Sequence, residues 1–101
     1  IIIMFLVRNV FRARPGKAKQ LVEIFKKSAP HIETNGIAKN TRILTDSAAT
    51  FWTVIIESEV QDLNKYIDMA KTVSSNKELG ELMKGYIDLV SEGYREVFRI
   101  E

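Results

Sequence analysis

The sequence predicts an α+β chain: a four-stranded antiparallel sheet with helices on one face, in the order β-α-β-β-α-α-β. Three observations carry this. Residues 3–13, 37–46, 51–57 and 94–101 are rich in β-branched and aromatic side chains and alternate with a period of two, the mark of strands. Between them, apolar residues recur every three or four positions, as on the buried stripe of a helix. The length of 101 residues, 46% of them hydrophobic, suits a single two-layer domain spanning 1–101.

The first strand contains FLVRNVFRARPG, residues 5–16, in which Phe5, Val7, Phe11 and Ala13 share a face with Asn9, while Arg8, Arg12 and Arg14 share the other. RPGKAKQ opens the first helix, with Pro15 suited to a first turn; Ala18, Leu21, Val22, Phe25, Ala29 and Ile32 form its apolar stripe. Pro30 kinks or restarts the helix near its end, and Asn35-Gly36 stops it. IAKNTRILTD and FWTVIIE then read as a hairpin around the short turn SAAT, with Lys39 and Arg42 on its solvated edge. Ser58 followed by Gln61 resembles a capping box for a second helix carrying Val60, Leu63, Ile67, Ala70 and Val73. SSNKE interrupts it. A third helical pattern, Leu79, Leu82, Met83, Tyr86 and Leu89 or Val90, runs to Glu92-Gly93, and YREVFRIE closes the sheet.

This order is the ferredoxin-like split βαβ plan with its second helix broken in two. Right-handed crossovers place the first and third strands in the centre and the second and fourth at the edges. Helices cover one side of such a sheet, yet the strands are apolar on both, through Leu6 and Val10 as well as Phe5 and Val7, and through Val54 and Ile56 as well as Phe51 and Ile55. The second face needs a cover. A homodimer with two sheets packed face to face supplies one.

Composition narrows the function classes. With 15 Lys plus Arg against 13 Asp plus Glu, the net charge of +2 is too small and too mixed to serve as a nucleic-acid footprint. Nor do aromatic and basic residues interleave on one exposed face. The absence of cysteine removes disulfides, thiolate metal sites and cysteine nucleophiles, and makes the cytoplasm the default compartment. IIIMFLV is too short to span a bilayer and meets Arg8 at once, so no membrane association is expected. Met4 offers a translation start, which makes residues 1–3 an alternative start or a non-native addition.

The first strand FLVRNVFRARPG, the RILTD and FWTVIIESEV hairpin and the broken helical segment resemble the dimeric α+β barrel superfamily, especially its small NIPSNAP-like and antibiotic-biosynthesis-monooxygenase-like members. The resemblance covers nearly the whole chain from Met4. It implies a homodimer whose two sheets close a barrel, and a small-molecule cavity in each subunit between sheet and helices. Activities in the superfamily include cofactor-independent oxygenation of aromatic compounds and oxidative haem degradation. Haem-degrading members carry an asparagine in the middle of the first strand, and Asn9 occupies that place. Those enzymes hold iron with a histidine late in the second helical region, whereas residues 58–92 contain none and His31, the only histidine, belongs to the end of the first helix. The expectation is therefore a protein without metal or organic cofactor.

Candidate ligand-binding residues follow. Asn9, on an apolar face, must have its amide hydrogen-bonded to protein or ligand. Trp52, at the start of the third strand, offers an indole N–H to the cavity. Tyr66 and Tyr86, with Tyr94, offer phenols beside the helices. His31, next to Pro30 at a helix end, reads as exposed and not as a general base. If the faces of the outer strands coincide, Arg8 and Arg12 form a ladder with Arg95 and Arg99 on the side away from the helices, an interface or anion network with Glu57, Asp46 and Glu101 as partners. The leading expectation is a homodimer that binds a small, largely apolar or aromatic molecule. A monooxygenase without cofactor is the enzymatic version, and a non-catalytic binding or regulatory module is the alternative.

Overall fold

The computed structural model describes residues 2–34, 36–48, 51–71 and 77–101. Its elements are β1 (Met4–Ala13), α1 (Ala18–Ile32), β2 (Ala38–Thr45), β3 (Thr53–Val60), α2 (Leu63–Lys71), α3 (Lys77–Met83), a 3-10 turn (Tyr86–Leu89) and β4 (Val90–Ile100). The sheet order is β2-β3-β1-β4, with every pair antiparallel, so the first and third strands are central as the crossover argument requires. No helix among the described residues is long and apolar enough to cross a membrane.

Alternation in β1 decides which side is which. Val7 and Ala13 are buried beneath the helices, with Val54 and Val60 of β3 beside them and Leu21 and Phe25 of α1 above. Burying these apolar side chains supplies roughly 1.5–3 kcal/mol for each large one. Arg8 and Arg12 point to the opposite, open face, together with Leu6 and Val10; directly opposed residues share a face, so Phe98 joins Leu6, Tyr94 joins Val10 and Leu44 joins Ile55 there.

Four boundaries differ from the expected ones. β3 starts at Thr53 and runs on to Val60, because β1 is long enough to pair Phe5 with Val60 and Val7 with Ser58. Ser58 is thus a buried sheet residue whose hydroxyl lies 2.7 Å from that of Thr41, and no capping box forms; Asp62 caps α2 instead, accepting a hydrogen bond from the Lys65 N–H at 3.1 Å. α1 continues through Pro30 to Ile32 and is preceded by a turn at Pro15-Gly16. β4 begins at Val90 rather than Tyr94, since α3 stops at Met83 and Gly85, at φ 82°, turns the chain in the left-handed region. Gly93 is consequently a strand residue opposite Phe11, not a helix stop. The expected positions Asn35, Ala49, Thr50, Val73 and most of the SSNKE segment lie outside the described residues.

The arginine ladder does not form. In the β1–β4 register, Asn9 faces Arg95 and Phe5 faces Arg99, so Arg95 and Arg99 lie on the helix side while Arg8 and Arg12 lie on the open side. The open-face arginines are paired one by one. Glu57, only 3% exposed, is held between Arg8, whose Nε is 3.2 Å from Glu57 Oε2, and Arg42. Arg8 also reaches Glu96 at 3.6 Å, and Arg12 meets Glu92 at 3.4 Å. The Arg8 Nε–H is not aimed at the Glu57 oxygen, so the contact is an ion pair without a hydrogen bond. Arg99 pairs with Glu101 at 3.7 Å, whereas Asp46 takes part in no ion pair among the described residues.

Candidate functional site

A cavity of about 200 Å³ opens between the helices and the central strands β1 and β3 of the sheet. Its floor is Asn9 and Phe11 of β1 and Ile56 and Ser58 of β3; its roof is Phe25 of α1, Tyr66, Met69 and Ala70 of α2, Met83 of α3 and Tyr86 of the 3-10 turn; Arg95 of β4 closes one side. The aromatic part is a cluster of three rings, with Phe11 5.4 Å from Phe25 and 5.9 Å from Tyr86 in an edge-to-face contact. Two thioethers, Met69 and Met83, complete a deformable apolar wall, the Met83 sulfur lying 3.2 Å from the buried Ser28 hydroxyl, which donates to the Ile24 carbonyl at 2.8 Å.

Sequence and register bring three polar groups to one end. Asn9 falls on the helix face by alternation, Arg95 is its directly opposed partner on β4, and Tyr66 descends from the second turn of α2. Arg95 Nε donates to Asn9 Oδ1 at 2.8 Å, and Asn9 Nδ2 donates to the Tyr66 hydroxyl oxygen at 3.2 Å. The guanidinium carbon also lies 5.6 Å from the Tyr66 ring centroid, over its face. Because arginine can only donate, the Asn9 oxygen must face it, the amide nitrogen must face Tyr66, and the phenol oxygen must accept. The Asn9 amide is thus satisfied by protein on both atoms while still forming part of the wall.

Asn9, Tyr66 and Tyr86 therefore meet at one cavity. Trp52 does not join them. It lies in the β2–β3 turn with φ 62°, a backbone state that breaks the strand pleat; its carbonyl accepts a hydrogen bond from Ala13 N–H at 2.8 Å and its ring lies exposed, 6.0 Å from that of Phe51. Tyr94 lines a separate, more polar concavity on the open face, with Arg8, Arg12, Glu92 and Glu96. His31 is half-buried at the end of α1, 3.5 Å from Glu78. Among the described residues no cluster of His, Asp or Glu could hold a metal ion. Arg95 is the cavity residue that the sequence pattern misplaces; its face follows from the register that sets it opposite Asn9, which alternation within β4 alone does not give.

No protein-family model matches the sequence, and no functionally curated protein does so. Solved structures match in shape. A NIPSNAP family protein from Agrobacterium tumefaciens superposes with a TM-score of 0.80 at 11% identity, over 97% of this chain and 86% of its own. A second Agrobacterium tumefaciens protein, a NIPSNAP family member with unknown function, gives 0.78 at 8% identity over 96% and 87%. An uncharacterized NIPSNAP-like domain protein from Burkholderia xenovorans gives 0.74 at 14% identity over 94% and 83%. At such low identity the likeness concerns architecture alone: the chain has the ferredoxin-like α+β fold that these NIPSNAP proteins share.

Proposed function

We propose that the protein works as a homodimer in the cytoplasm, open sheet face against open sheet face, and that each subunit binds a small, largely apolar molecule in the cavity beneath α2. The observation that carries the binding reading is the composition of that cavity: three aromatic rings and two thioethers with one polar cluster at a single end, the pattern of a site that selects by shape and fixes orientation by a few hydrogen bonds. What supports the dimer is the open face, where Phe98 and Ile100 are about half exposed beside Leu6 and Val10.

The enzymatic version is oxygenation without metal or organic cofactor. A phenol held by Tyr66 and Arg95, which Asn9 positions, would take up one dioxygen, place one oxygen atom in the new quinone carbonyl and release the other as water, the substrate itself supplying all the electrons. The non-catalytic version is favoured by a specific observation: among the described lining residues there is no carboxylate and no histidine to take the phenolic proton.

Light scattering at micromolar concentration is expected to give twice the chain mass, and Phe98→Glu to give the monomer. A stable wild-type monomer overturns the dimer. Native mass spectrometry should find a small molecule retained through purification, and an oxygen electrode with naphthols separates the two versions: uptake abolished by Tyr66→Phe supports the oxygenase, and binding without uptake supports the module.

A further inference from the structure

The polar end of the cavity has a definite chemical sense. Tyr66 already accepts from Asn9, so its own O–H is left to donate, and it has no acceptor among the described residues. Arg95 gives Nε–H to Asn9 and keeps its four terminal N–H groups; the ion pairs among the described residues involve Arg8, Arg12, Arg42 and Arg99 but not Arg95. Asn9 has no unused acceptor facing either neighbour. This corner therefore offers donors and one positive charge to whatever enters, beside walls of aromatic rings and thioethers.

Resting on the binding reading above, we infer that the cavity takes an organic acid: an apolar, aromatic-sized body buried against Phe11, Phe25 and Tyr86, with a carboxylate accepting from the Arg95 guanidinium and the Tyr66 hydroxyl. The planar fork of arginine matches a carboxylate in two-point contact. Asn9 is a positioning residue: by holding Arg95 Nε and the Tyr66 oxygen at once, it presents both donors at a fixed separation without touching the acid. An amine at this corner would meet the like charge of Arg95. A neutral amide or ester would find donors but lose the charge-assisted part of the contact.

The test is calorimetric titration with naphthoate, naphthamide and naphthylmethylamine, which share one apolar body. Naphthoate should bind about tenfold tighter than naphthamide, one charge-assisted contact's worth of affinity, with the amine weakest. That preference should vanish in Arg95→Gln, return in part in Arg95→Lys, and persist in Arg99→Gln, which removes a charge of the same strand away from the cavity. In Asn9→Leu, whose side chain holds neither donor, the preference should shrink while naphthamide affinity stays within about twofold. Equal binding of acid and amide, with both displaced by filling the cavity through Ala70→Phe, overturns the acid assignment and leaves the apolar binding site standing. No binding of any of the three overturns both.

Discussion

The two faces of the sheet solve the same problem with different chemistry. On the helix side, apolar residues at Val7, Val54 and Val60 are sealed by Leu21 and Phe25, and the polar groups gather at one end of a cavity. On the open side, apolar residues are interleaved with Arg8, Arg12, Glu57, Glu92 and Glu96, each cation matched to a carboxylate. Stability on the first face comes from exclusion of water, whereas the second keeps its apolar residues tolerable in water by interleaving them with paired charges. The contrast shows most clearly in two acids of the open face: Glu57 is 3% exposed between two arginines, whereas Glu92 is 68% exposed beside one.

The comparison can be broken from its strongest side first. Phe25→Ala removes the fully buried ring that touches Phe11 and Tyr86, and should cost about 3–5 kcal/mol in urea unfolding. Gly93→Ala comes next, at about 1–3 kcal/mol, because a Cβ there would stand 2.7 Å from Phe11 Cδ1; Phe11→Leu in the same chain should recover part of it. Glu57→Gln keeps the shape but leaves Arg42 without a counter-charge and Arg8 with Glu96 alone, and should cost about 1–2 kcal/mol. Glu92→Gln, on the same face and also facing an arginine, should stay below about 1 kcal/mol, and a loss as large as that of Glu57→Gln would erase the distinction between the two acids.

Much of this architecture is legible in the sequence because alternation and helical spacing are local. The strands, their order, the apolar double face and the place of Asn9 all follow from periodicity and crossover handedness. What resists local reading is where elements end when a distant partner decides. Ser58 has the chemistry of a cap, yet β1 is long enough to hold it in the ladder; Gly93 has the chemistry of a helix stop, yet it is needed opposite Phe11. Arg95 resists for a further reason: alternation within β4 says only that Arg95 and Arg99 share a face, and it is the register against β1, Asn9 opposite Arg95, that puts that face on the helix side. Trp52 fails for another reason: its left-handed backbone turns the hairpin, and nothing in FWTVIIE announces a positive φ at a tryptophan.

Gly93 belongs to the edge strand and is absent from the cavity's lining, but the space left by its missing side chain is occupied by the Phe11 ring, which is part of that lining. The bore of the cavity is therefore set from behind its own wall. Enlarging residue 93 would push Phe11 inward and narrow the chamber, and pairing a larger residue there with a smaller one at position 11 would widen it again. The size of this chamber can thus be retuned from a position outside its lining, with the donors at Tyr66 and Arg95 left in place.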